Sequence, residues 1–364
     1  MAKRAYIGIN GIARKIKKGY IGVGGIARRI KKVYVGVGGI ARPCWSTGEL
    51  YYYGEITSLS ADKSALAATT VGNYAVFGVS ATSSKMDAYN KSLVLTTWSS
   101  LYGAKQYYAA TSVGNYAIFG GGSSGTGTKY ATVEAYNTSL TRTAPDDLYE
   151  ARQGLTATTV GNYAIFGGAG VYSGVDIYNA SLTHTRVNDW FKQRSNLAAT
   201  TVGNYAVFGG GVGYSGTYAT VDAYDTSLTH TNPTDISTAR QGLAATTVGN
   251  YAIFGGGSTS SASNDVSATV DAYDTSLTRT KPTSLSKSRY NLAATTVGNY
   301  AVFGGGASGG IYLTNVDAYD IALTRTLPTE LAAKKSECGA TTVGDYALFG
   351  GGIGSTTSVL AYAV

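Results

Sequence analysis

Along most of the chain the apolar residues come in short runs and never in a sustained helical stripe. The clearest unit spans residues 291–328. There "NLAATTV" (291–297) reads as a strand rich in β-branched residues, Gly298-Asn299 as a two-residue turn, and "YAVFGGG" (300–306) as a second strand. "NVDAYD" (315–320) and "ALTRTLP" (322–328) read as a third and a fourth. No stretch beyond the first 48 residues keeps a 3.6-residue apolar period, so helix is expected to be nearly absent.

The unit recurs. Val71, Val113, Val160, Val202, Val248, Val297 and Val343 mark seven copies, spaced by 42, 47, 42, 46, 49 and 46 residues. A period in the forties built from four short strands predicts an all-β, seven-bladed β-propeller, one blade per copy. The last copy stops at Tyr362-Ala363-Val364, inside its third strand. In six copies fifteen residues separate the apolar residue opening the fourth strand from the Leu position of the next first strand, and counting back fifteen from Leu66 reaches Tyr51. Residues 49–56 are therefore expected to supply the outer strand of the seventh blade, closing the ring and covering an open edge.

The sixth copy, "SRYNLAATTVGNYAVFGGG…VDAYDIALTRTLP", resembles the kelch repeat. The resemblance covers roughly residues 49–364. It departs at the fourth strand, where the kelch Trp is replaced by Thr143, Thr185, Thr231, Thr280 and Thr326. That departure implies a divergent branch, so kelch partners are not carried over.

Length variation is confined to one connection. Between the Phe of the second strand and the acidic position of the third, 9, 14, 9, 13, 16, 13 and 10 residues intervene, the last counted to Leu360. A meander places these connections on one face of the disc, and variable loops on a rigid scaffold commonly carry binding. The loops are rich in Gly, Ser and Thr and hold Tyr130, Tyr172, Tyr214, Tyr218 and Tyr312 as candidate ligand contacts. A second candidate is the basic residue three positions before each first-strand Leu position: Lys63, Lys105, Arg152, Arg194, Arg240, Arg289 and Lys335. These either ring the channel mouth as an anion site or tie neighbouring blades together, the role that the Arg of the kelch pattern implies. Acidic residues recur at Asp87, Glu134, Asp176, Asp222, Asp271 and Asp317.

Charge separates the chain into two parts, 1–45 and 46–364. Residues 1–48 carry eleven Lys/Arg and no Asp/Glu, while the remainder holds eighteen basic and twenty-one acidic residues. The basic part repeats with period fourteen: "YIGINGIARKIKKG", "YIGVGGIARRIKKV", "YVGVGGIARPCW". Asn10-Gly11, Gly24-Gly25 and Gly38-Gly39 are hairpin signals, and five or six very short strands in a meander are expected. So small a sheet needs a partner to bury its face.

Little points to catalysis. His184 and His230 occupy the repeat position of Arg142, Arg279 and Arg325, an exposed fourth-strand site. Cys338 replaces a first-strand Leu and is expected to be a buried thiol, leaving Cys44 without a disulfide framework. No enzyme, cofactor or metal is expected. The "MAKRAYIGING" start lacks an apolar signal segment, and no run of about 18 apolar residues predicts a membrane span.

The tandem "YIGVGGIARRIKK" phrase resembles N-terminal repeats in structural proteins of phages and prophages of Gram-positive bacteria. The resemblance implies a virion or tail-like particle component made in the bacterial cytoplasm. Residues 1–45 would anchor to other particle proteins through Arg14, Lys15, Arg28, Arg29 and Arg42, giving a multimer through the particle. The propeller would display its variable face to a host-surface polymer, a glycan being the expected class, with no nucleic acid bound. The alternative is an intracellular kelch-type binding module whose arm docks an acidic protein or nucleic acid.

Overall fold

The computed structural model describes residues 48–364 apart from 100–102, 170–173, 189–192 and 261–264, and, within 1–47, the backbone of six strands. The chain divides into two compact units, Met1–Tyr51 with Val364 and Tyr52–Ala363.

In the larger unit seven four-stranded antiparallel sheets stand as the blades of a propeller, and no helix occurs among the described residues. The inner strands are Ala68–Val71, Ala109–Val113, Thr156–Val160, Ala198–Val202, Ala244–Val248, Ala293–Val297 and Gly339–Val343. In the last sheet the order is Gly339–Val343, Tyr346–Gly350, Val359–Ala363, then Tyr51–Ile56 on the outside. Tyr52 sits against Tyr362 and Tyr53 against Tyr346, with ring centroids 5.3 and 5.0 Å apart. The two ends of the repeat are thus sewn into one sheet.

Each blade's core follows from the repeated letters. The Phe of "YAVFG" meets the buried Tyr of "VDAY" edge-to-face in all seven blades, as in Phe254–Tyr273 at 5.9 Å. Such a pair contributes about 0.5–1.5 kcal/mol beyond its area burial. In five blades the Tyr hydroxyl then donates to the connection entering the blade, for example Tyr273 to Thr234 O at 2.7 Å and Tyr319 to Thr283 O at 2.7 Å. Between blades the same Phe lies on the preceding blade's first glycine. A Cβ on Gly209 would stand 3.0 Å from Phe254 Cε1.

The uniform face is built from two turns. Asp225 accepts the N–H of Ser227 at 2.8 Å and of Thr229 at 2.9 Å, an Asx turn that holds Leu228 at φ +63°. The left-handed conformation costs a non-glycine residue about 1–2 kcal/mol. Packing Leu228 on the cluster of Val160, Leu197 and Phe208 offsets it. The fourth strand therefore begins after this leucine. It is two residues long at Arg142–Thr143, His230–Thr231, Arg279–Thr280 and Arg325–Thr326, shorter than the "ALTRTLP" reading. Against this turn packs the Gly-Asn turn of the preceding blade: a Cβ on Gly203, at φ +53°, would stand 3.0 Å from Thr275 Cγ2.

The described strands of residues 1–47 form three separate two-stranded hairpins, closing at Ile9↔Ile12, Val23↔Ile26 and Val37↔Ile40. Each closing pair leaves two residues between its members, as the turn signals require. Among the described strands each hairpin pairs within itself, where a single meander was expected. In the third, the register shifts so that Tyr34 opposes Pro43 and Val33 opposes Trp45. Proline lacks an N–H for the ladder and is tolerated at such a bulge.

Candidate functional site

Five of the variable connections are anchored at their bases, and near one tip Thr217 Oγ1 donates to Thr259 O of the neighbouring loop at 3.0 Å. Backbone bridges Gln106↔Ser123, Ser195↔Val212, Gln241↔Ser258, Tyr290↔Ala307 and Ser336↔Ile353 hold each connection to the segment entering the same blade's inner strand. Two connections then fold into small hairpins, Val212–Gly213 with Gly216–Thr217 and Ala307–Ser308 with Ile311–Tyr312. Tyr214 stands fully exposed at one tip, whereas Tyr130, Tyr218 and Tyr312 are half-buried nearer the loop bases. Tyr172 lies outside the described residues.

The seven cations are not at the surface; each is at most 2% exposed. Lys63–Asp87 (2.7 Å), Arg194–Asp222 (2.6 Å), Arg240–Asp271 (2.8 Å) and Arg289–Asp317 (2.9 Å) are buried ion pairs, and Arg152 pairs with Asp176. The expectation of an anion ring open at the channel mouth is corrected. The side chains of these five pair within the blade, joining the entering segment to the third strand, while their backbones reach the preceding blade, as where the Gly122 N–H donates to Arg152 O at 2.8 Å and the Arg152 N–H to Tyr130 O at 3.1 Å. The acid is a hub. Asp271 also accepts the Ser237 N–H at 3.0 Å, and Asp222 takes the His230 ring at 2.8 Å. Burial alone would raise the Asp222 carboxyl, but His230 and Arg194 outweigh it and hold it below the usual range. His184 and His230 are accordingly half-buried and bonded to Asp176 and Asp222 rather than exposed.

Two blades depart from this pattern. Leu360 takes the acidic position in the last blade, and Lys335 donates instead to Gly351 O (2.8 Å), Ser355 O (3.0 Å) and Ser358 Oγ (2.7 Å). In the second blade Glu134 turns to the Tyr136 hydroxyl, and Lys105 Nζ is left with no hydrogen-bond partner. Burial pulls Lys105 down to about 8.

Sequence reasoning missed a circuit at the mouth of the channel. The N–H of one residue per blade donates to the carbonyl of its counterpart in the preceding blade. The seven donors are Ala65, Tyr107, Gly154, Asn196, Gly242, Asn291 and Glu337, at 2.7–3.0 Å, and Ala65 closes the circle onto Glu337. All seven have φ between +50° and +72°. The legible signal was Gly or Asn recurring immediately before the first-strand Leu, at Gly154, Asn196, Gly242 and Asn291. Deeper in the channel a second set of bonds joins neighbouring inner strands, for example Thr342 Oγ1 to Thr296 O at 2.5 Å and Thr70 Oγ1 to Thr342 O at 2.6 Å.

Above the first circuit opens a cavity of about 520 Å³. Its floor is Leu66, Leu155, Leu197, Leu243, Leu292 and Cys338; its walls include Tyr107, Gln153, Asn196, Asn291 and Glu337. Asn291 Nδ2 donates to Glu337 Oε1 at 2.9 Å, and Tyr107 Oη reaches Glu337 Oε2 at 3.5 Å. Burial raises the Glu337 carboxyl, with those two bonds opposing. Cys338 is a free buried thiol, pushed by burial to about 11. Among the described residues no group of three or more His, Cys, Asp or Glu is gathered to hold a metal ion.

No family profile and no curated protein matches the chain. The larger unit's architecture is shared with known structures. The chain is similar to the solved structure of YjhT, with a TM-score of 0.60 and 12% identity over 75% of this chain and 99% of that one. At that identity the likeness establishes the propeller fold.

Proposed function

We propose that the protein is a structural and adhesive component of a phage or phage-derived tail-like particle, with a kelch-like propeller whose variable face recognises a host-surface polymer. The basic hairpins anchor it to other particle proteins through Arg14, Lys15, Arg28, Arg29 and Arg42. One observation carries the reading: loop length varies on one face only, and that face stands on a ring held by a closed hydrogen-bond circuit and buried ion pairs. A rigid scaffold under individual loops is the arrangement of a recognition surface. The repeated hairpin phrase, resembling phage and prophage structural proteins, supports the anchoring role.

The test is adsorption. Purified full-length protein should bind bacterial cells or isolated cell-wall polymer, and should co-sediment with particles through residues 1–45. A chain lacking 1–45 that still joins particles, or a full-length chain that binds no cell-wall preparation, would remove the corresponding half of the proposal.

A further inference from the structure

The seven circuit positions share one backbone conformation, yet their side chains divide the channel mouth into two unlike halves. On one side Tyr107 leans across the small Ala65 to reach Glu337, which also holds Asn291. On the other side Gly154 and Gly242 flank Asn196 and leave a recess, with the Asn196 amide donating to Gln241 Oε1 at 3.3 Å. Tyr107 and Glu337 adopt φ of 54° and 55° without being Gly or Asn. A left-handed Tyr and Glu carry strain that a glycine would relieve. Tyr107 nonetheless stays 40% exposed instead of filling the core.

We propose that this mouth is a binding pocket for a neutral sugar residue, with Tyr107 as the stacking platform and Glu337, Asn291 and Asn196 as hydrogen-bonding groups. The inference rests on the reading that this face recognises a surface polymer, and it assigns the pocket and the class of sugar. A pyranose offers an apolar C–H face to an aromatic ring and hydroxyls that both donate and accept. The mouth supplies both kinds of partner: an exposed aromatic face, planar amides and a carboxyl over an apolar floor. Among the described lining residues there is no Lys or Arg, because the seven cations are spent in buried contacts beneath. An anionic sugar would meet Glu337 without a countercharge. The cavity of about 520 Å³ lies within the range of small-ligand sites and accommodates one sugar ring and part of a second.

The experiment uses the full chain with methyl glucoside, methyl galactoside and N-acetylglucosamine as neutral probes and glucuronic acid as the anionic probe, read by saturation-transfer NMR and calorimetry. At least one neutral probe should bind at millimolar strength. Tyr107→Asn, which tolerates the left-handed backbone, and Glu337→Gln should each weaken it about tenfold or more. Tyr214→Ser should leave it unchanged, and thermal melting should confirm that all three variants fold. Neutral-sugar binding that persists within twofold in both mouth variants overturns the pocket while the recognition reading stands. Preference for glucuronic acid overturns the sugar class. Failure of every probe with cell adsorption intact overturns the pocket alone; failure of adsorption as well removes the reading beneath it.

Discussion

The backbone N–H of Ala65 donates to the carbonyl oxygen of Glu337 at 3.0 Å, joining the first blade to the last and closing a circle of seven such bonds. The circle exists only while the ends of the repeat are held together, and the strand Tyr51–Ile56 does that work in the last sheet. Replacing both Tyr52 and Tyr53 by Ala removes two aromatic contacts at this seam and should cost about 3 kcal/mol or more. Hydrogen exchange should show new opening at residues 359–363 and at Ala65 before the rest of the ring. Uniform loss of protection around the ring would argue against a local seam.

The turn glycines carry two separate constraints. Gly203→Ala should destabilise by more than about 1–2 kcal/mol, since φ is +53° and the new Cβ meets Thr275 Cγ2 at 3.0 Å. Adding Thr275→Ser removes that methyl and should recover the steric part but not the backbone part. Denaturant melts of the four proteins in the double-mutant cycle measure the difference. Full recovery would mean the backbone strain is negligible.

Two buried cations at one repeat position should respond oppositely to the same substitution. Arg240→Met strands Asp271 in the core and should cost about 3–5 kcal/mol. Lys105→Met removes a buried ammonium with no hydrogen-bond partner and should be neutral or stabilising. The pH dependence fixes the sign. The folded-state value near 8 lies below the usual 10.4 of lysine. Between about pH 8 and 10 the unfolded chain therefore binds more protons, and stability attributable to Lys105 rises with pH. The advantage of Lys105→Met should be full below pH 8 and shrink towards pH 10 in thermal melts.

Cys338 should resist thiol reagents in the native ring, being buried and held as the neutral thiol by a value near 11. In a Cys44→Ser background the reaction with a disulfide reagent at pH 8 should follow global unfolding. Rapid labelling without denaturant would show that the floor of the mouth opens to solvent.

The sequence by itself determined the number of blades, the near-absence of helix and the outer-strand role of Tyr51–Ile56. Each is a matter of counting: a repeated phrase of fixed internal spacing leaves few ways to pair its strands. The Phe–Tyr pairs and the turn glycines recur in the letters for the same reason. The environment of the cations was not legible in that way. A ring of Arg and Lys leaves both an anion site and a structural tie between blades open, and its side-chain partners are visible only when the third strand brings Asp222, Asp271 and Asp317 within 2.6–2.9 Å of Arg194, Arg240 and Arg289. The second blade shows the limit most sharply. Lys105 and Glu134 look like one more pair along the chain, but the extra methylene of Glu lets its carboxyl reach Tyr136, and the lysine is left without a hydrogen-bond partner over the Tyr108 ring. The mouth circuit depended on seven backbones arriving together. Its Tyr107, Glu337 and Asn291 come from three different blades, so their meeting was decided only when the ring closed and set non-neighbouring segments side by side.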